Sequence, residues 1–305
     1  MPPARGSCQK SGMDLRFYRR ILETAEPFLI ARRAVQADLV RAPLGIVVPE
    51  ANVLDPQVVA NGPFLKLAET LDELTYGPVA LRMPSWVFYD CALMTGAVFG
   101  FAIRAAALPG WVRKTLRVPG DYLGLVPISQ FVAIPMAHRK AQLVFTLCSI
   151  NQVAPGAAPE GLWRLTLAAG TAALRVDVMV ATTQWRSAQL GLFTSLGPLK
   201  LLTAWTPAHD IPATATFYVY TDDDARARLV HGTRVPDPWA DGYLDADDPL
   251  AMQALQTEIE AGLEVWVVGA PEIRGADTRV PLQRHAAGAP AVPTREAAFV
   301  RRFQG

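Results

Sequence analysis

The chain is poor in cysteine. Its 305 residues contain three, Cys8, Cys91 and Cys148. An odd number at wide spacing supplies neither a disulfide framework nor a zinc ligand set, and it implies a reducing, cytoplasmic setting. The four histidines, at 138, 209, 231 and 285, show no ligand spacing, so no metal is expected. "DGYLDADD" lacks the alternating oxygens and the glycine of a calcium loop. No charge of one sign dominates. The net charge is +1, and no basic stripe interleaves with aromatics, which excludes nucleic acid as the expected partner. Gly-x-Ser-x-Gly, P-loop and dinucleotide fingerprints are all missing. No unbroken hydrophobic run is long enough to span a bilayer. The stretch from Cys91 to Trp111 is interrupted by Thr95-Gly96 and Arg104, whereas a span needs about 20 apolar residues. It reads instead as a buried hairpin turning at Met94-Thr95-Gly96, and no membrane association is expected. "MPPARGSCQKSGMD" lacks a signal-peptide core and reads as a disordered lead-in over 1–14.

Apolar residues are plentiful, at 51%, enough for one sizeable core. "LRFYRRIL", Leu15 to Leu22, reads as a strand. Thr24, Glu26 and Pro27 read as the start of a helix that continues through "FLIARRAVQADLV". A second helix is expected over Pro56 to Leu74. Strands follow in "SWVFYDCAL", "AVFGFAIRAA", "PISQFVAIPM" and "LVFTLCSINQV", the last ending at Val153. Leu162, Leu165, Ala169, Ala172, Ala173 and Val176 then share one helical face. "VDVMVATTQW" is a buried strand, "SAQLGLFTSLG" a helix closed by Gly197, and "LKLLTAW" and "ATFYVYTD" two more strands. From Thr221 the chain turns acidic and loop-like. A helix from Asp248-Pro249 to about Gly262, a strand at "LEVWVV" and an extended tail from Pro271 complete it. The strand–loop–helix–strand unit at 143–185 requires a parallel pair with a right-handed crossover. The fold class is therefore α/β (α+β): a mixed, mostly antiparallel sheet with flanking helices. The division expected is a main domain over 15–221, with 222–305 packing on it as an extension.

"VAPGAAPEGLWRLTLAAG", 153–170, falls at the crossover. With the element order, this segment resembles the GNAT-type N-acetyltransferases, whose V-x-P-x-x-R/Q-G-x-G-x-G/A stretch follows a splayed central strand. The resemblance implies that the parallel pair splays and that acetyl-CoA is the co-substrate. Unpaired N–H groups and the helix dipole would hold its pyrophosphate there. It assigns cofactor contacts to Val153, Pro155, Gly161, Leu162 and Arg164, with an amine of a small molecule or a protein as acceptor. The departures are Ala158 at the Arg/Gln position, Pro159 at the first glycine and Trp163 at the closing small residue. A second landmark, a helix ending in an L-G pair, aligns with Leu196-Gly197. There Arg186, Phe193 and Pro198 replace the family's Asn, Tyr and Phe. Phe193 cannot protonate a departing thiolate as that Tyr does.

Three residues are candidates for the chemistry. Asn151 could line the substrate channel or simply satisfy backbone at a strand end. Asp90, an acid on an apolar strand, could serve as a base or lie toward solvent. His209, in the Pro-flanked turn "TPAHDIP", could act as a base or be structural. Two other readings stand beside acyl transfer. One is a GNAT-like module that binds CoA or another ligand without catalysis. The other is a lysine-dependent lyase using Lys200, a lysine on an apolar strand.

Overall fold

The computed structural model describes residues 15–32, 39–79, 97–135, 141–205, 214–233, 239–275 and 277–285. Its strands are β1 (Glu26–Ile30), β2 (Val53–Leu54), β3 (Ala97–Arg104), β4 (Leu125–Pro135), β5 (Ala141–Ser149), β6 (Val178–Gln184), β7 (Leu199–Thr203), β8 (Thr214–Tyr220), β9 (Gly242–Asp245), β10 (Glu264–Val267), β11 (Glu272–Arg274) and β12 (Asp277–His285). The helices are α1 (Arg19–Thr24), α2 (Gly62–Tyr76), α3 (Gly110–Thr115), α4 (Ile150–Val153), α5 (Leu162–Ala173), α6 (Ala188–Thr194), α7 (Asp223–His231) and α8 (Pro249–Glu260).

All twelve strands join one open sheet in the order β11-β12-β10-β7-β8-β6-β5-β4-β3-β1-β2, with β9 also on β12. It is mixed and mostly antiparallel; among the described residues the parallel pairs are β1–β2 and β5–β6. Helices cover both faces, as alternation along β4 shows. The Gln130 amide donates to Ala68 O of α2 at 3.0 Å, while the next residue, Phe131, packs where α5 carries Gly170. Successive strand residues point to opposite faces, so α2 and α5 lie on opposite sides of the sheet.

α5 forms because its apolar period is helical, and nine of its residues, Leu162 to Ala173, are buried. α8 is set by its start: Asp248 caps Leu250 N at 2.8 Å and Pro249 occupies the first turn. α7 has an Asp222 cap on Ala225 N, acidic residues in its first turn and Gly232 at φ +64° closing it.

Several expectations need correction. Leu15 to Leu22 is not a strand: 16–18 form a 3-10 turn and α1 follows. Amphipathicity explains it, because Tyr18 and Ile21 are buried while the basic residues face solvent. The segment after Thr24 is β1, not a helix. Phe28, Leu29 and Ile30 are each fully buried, so this strand is covered on both faces and lacks the alternation of an exposed one. "TDDDARAR" is α7 rather than loop. Part of "DGYLDADD" is β9, and the expected tail holds β11 and β12, where Thr278, Val280 and Leu282 are buried in alternation. The strand at 143–153 ends earlier: Ser149 and Gln152 form a capping box, and 150–153 turn into α4. The hairpin turn at 94–96 and the strand at 85–93 lie outside the described residues.

β1 carries a titratable anchor. Glu26 accepts from Asn52 Nδ2 at 3.0 Å and pairs with Arg104 Nε at 2.9 Å. The Asn52 hydrogen bond, then Arg104, hold its carboxyl below the usual range against some desolvation. A depressed folded-state pKa means stability that is present above the unfolded value, about 4.3, and lost as pH falls through the folded value. Urea melts from pH 6 to about pH 3 should therefore show an acid-side loss of stability that is smaller in Glu26→Gln. An unchanged acid limb in the variant would refute the assignment.

Candidate functional site

The centre of the sheet is opened. β5 pairs with β6 only from Ala141–Val178 to Val144–Ala181. β5 then runs on to Ser149 and β6 to Gln184 without pairing to each other. The divergence begins where β5 slips against β4, whose register shifts between Val132 and Ala133. Such a bulge bends a strand and ends its pairing on one side. Between the diverging strands lies a cavity of about 370 Å³, lined by Thr146 and Leu147 of β5, Thr182 and Thr183 of β6, and Gln189 of α6.

Tyr76, the last residue of α2, reaches into this opening. Its hydroxyl donates to Leu147 O at 2.9 Å and lies 3.4 Å from Leu147 N, on the edge of β5 that β6 has left. Gln189 Nε2 donates to the same hydroxyl from the far wall. Burial, then the nearby Cys148, push the phenol well above its ordinary pKa, only partly offset by Gln189, Leu147 and Thr146. Tyr76 is therefore a neutral donor. No local sequence signal marks it, because the groups it meets come from two distant elements.

Beneath Tyr76 is a buried polar cluster. Cys148 Sγ lies 2.9 Å from Thr146 Oγ1 and 3.7 Å from Asp72 Oδ1. Burial and the Asp72 charge both raise the thiol pKa, so Cys148 stays protonated and unreactive.

The residues expected around the crossover loop do not converge on one point. Asn151 Nδ2 donates to Ala158 O, and its Oδ1 accepts from Ala158 N, both at 2.9 Å. It clamps the loop and satisfies backbone. Val153 ends α4 and is partly buried, Pro155 is exposed, and Leu162 is buried in the core. Gly161 precedes α5 at φ +85°, with no side-chain cap. A Cβ there would lie 2.8 Å from the Tyr18 ring, which covers this turn from α1's side. Arg164 is exposed and lines a different cavity, described below. Asp90 and His209 lie outside the described residues. No group of three or more His, Cys, Asp or Glu suited to a metal occurs among the described residues, and no helix there is long and apolar enough to cross a membrane.

Compared with protein-family models and with curated proteins, the chain finds no match.

Proposed function

We propose that the chain is an acyl-CoA-dependent N-acyltransferase with a GNAT-like core, transferring an acetyl group to an amine of a small molecule or a protein. The observation that carries this reading is the parallel β5–β6 pair, joined through α5, that separates after four residues around a cavity. The run β5-α5-β6-α6-β7-β8, in sheet order β5-β6-β8-β7, supports it as well.

The residues suit the acyl-bearing arm better than the pyrophosphate. The free edge of β5 offers Leu147 N–H and C=O to an amide-containing chain, once Tyr76 yields them. At the loop, Pro159 contributes no N–H, and the uncapped first turn of α5 is covered in part by Tyr18. Bound acyl-CoA would supply an activated thioester, whose C–S bond breaks as the amine nitrogen bonds to the carbonyl carbon. Tyr76 gives its proton to the departing sulfur and regains one from the nitrogen, which sheds a proton as the amide forms, while Gln189 hydrogen-bonds the hydroxyl. This assigns to α2 the task that Phe193 on α6 cannot perform.

The non-catalytic reading draws on the same departures at the loop, which weaken the phosphate cradle. The lyase reading is less favoured. Lys200 Nζ is paired with Glu264 at 3.0 Å, which stabilises the charged amine rather than the nucleophile.

Full-length protein assayed with acetyl-CoA and a panel of amines tests the proposal, with binding followed by calorimetry. Tyr76→Phe should lower kcat by about 10²–10⁴-fold with little change in affinity for acetyl-CoA, as for loss of a general acid. Binding without turnover in the parent chain would favour the non-catalytic module. No binding of acetyl-CoA or CoA at all would sink both.

A further inference from the structure

α6 has a cavity on each side. Gln189 and Phe193 line the one between β5 and β6, whereas Gly191, Thr194 and Ser195 line a second cavity of about 640 Å³. At 3.6 residues per turn these two sets lie on roughly opposite sides of the helix, so the sites are separate. The second cavity is closed by chain from the C-terminal portion: the end of α7, the segment before β9 and the 268–272 turn.

Three kinds of group meet there. Trp239 and Tyr243 line the cavity yet are 78% and 52% exposed, which leaves flat aromatic faces available beside a concave surface. Arg164 lines it from the first turn of α5 and forms no ion pair with a carboxylate among the described residues. Gly232 makes room for that guanidinium: a Cβ there would lie 3.1 Å from Arg164 Nη1. Thr233, the next residue, also lines the cavity. Glu272 also lines the cavity; one of its carboxylate oxygens lies 3.0 Å from Arg274 Nη2, and the second is a further acceptor.

An aromatic face, a cation with a hydroxyl, and a carboxylate acceptor match the three parts of a nucleotide. Bases stack on aromatic rings. Guanidinium groups pair with phosphate oxygens, often in bidentate fashion. Carboxylates accept from ribose hydroxyls. The volume also lies within the range of sites for molecules of this size, about 300–1,000 Å³. We propose that this cavity binds a nucleoside monophosphate, with the base against Trp239 or Tyr243, the phosphate at Arg164 and Thr233, and the ribose toward Glu272. The proposal does not depend on acyl transfer.

Calorimetry on the full chain with AMP, GMP, CMP and UMP, and with adenosine and inorganic phosphate separately, decides it. At least one monophosphate should bind more tightly than about 1 mM, and better than either part alone. Arg164→Gln should weaken it about 10–100-fold, the range of hydrogen bonds to a charged group. Trp239→Leu should weaken it about 5–100-fold, as for loss of base stacking. Both side chains are exposed, so both variants should melt with the parent chain. Tyr76→Phe, in the other cavity, should leave nucleotide affinity unchanged. Absence of binding by all four monophosphates overturns the proposal. So does binding that is indifferent to both Arg164→Gln and Trp239→Leu, or binding matched by phosphate alone.

Discussion

Trp185→Ala is expected to destabilise the chain by about 3–5 kcal/mol, the range for deleting a fully buried large aromatic. Trp185 is 1% exposed and follows β6 directly, ahead of α6. Its Nε1 donates to Ala204 O at 2.9 Å, and Gln256 Oε1 of α8 accepts from Ala204 N at 2.8 Å. The same peptide region thus ties the end of β7 to the start of α6 and to the C-terminal helix. Removing the indole opens a cavity and leaves a carbonyl without its donor. Trp185→Phe keeps most of the volume and loses the hydrogen bond, so it should cost less, about 1–3 kcal/mol. Urea unfolding of the three proteins gives the order. Equal midpoints for parent and Trp185→Ala would show that the packing around the indole is not as described. Since Gln189 lies in the first turn of α6, four residues on, Trp185→Ala should also reduce any acetyl-CoA-dependent turnover.

Gly100→Ala is the second large effect, and it acts by crowding rather than by loss. A Cβ at Gly100 would lie 2.1 Å from Ser129 O and 2.6 Å from the Phe28 ring. Phe28 is the register partner of Gly100 in the β1–β3 ladder, and its ring also packs edge-on to Phe64 of α2 at 4.8 Å. Rings move more readily than ladder carbonyls. Overpacking of this kind costs about 1–3 kcal/mol, and more where backbone must shift. The upper end is expected here, because Ser129 O is held in the β3–β4 pairing. The double variant Gly100→Ala/Phe28→Leu separates the two contacts. It should not recover the stability lost, since the clash with Ser129 O remains. Recovery to the level of Phe28→Leu alone would show that only the ring was in the way.

The parts legible in the sequence were those with a full local pattern. α5 has its helical face, α8 its Asp-Pro start, and β6, β7, β8 and β10 their apolar runs. β1 was missed because a strand buried on both faces shows no alternation, and Glu26-Pro27 happened to imitate a helix start. α7 carried its own signals, the Asp222 cap and Gly232 at the end, but the acidic run looked like loop. β12 was hidden by charged residues on its exposed face. At the candidate site, the crossover and its loop were visible as a motif-like stretch. Asn151, however, is occupied with Ala158, and Gly161 is occupied with Tyr18. Tyr76 was not visible at all, since its meaning comes from Leu147 and Gln189, far away in the chain.

The narrow join between β5 and β6 also bears on how the chain is made. During synthesis, β1, β3, β4 and β5 are available as antiparallel neighbours before β6 has left the ribosome. Their contacts are mostly between consecutive strands, which favours early formation. The nascent half-sheet then ends on β5 with its outer backbone unpaired, a template for any extended chain nearby. That hazard ends when β6 closes onto residues 141–144 and β8, β7, β10 and β12 add beyond it. Among the described residues the outermost strands are short: β2 of two residues, β11 of three and β9, beyond β12, of four, which offers little edge to another strand. A ribosome that stalls between β5 and β6 would therefore release a species far stickier than either the complete chain or a much shorter one.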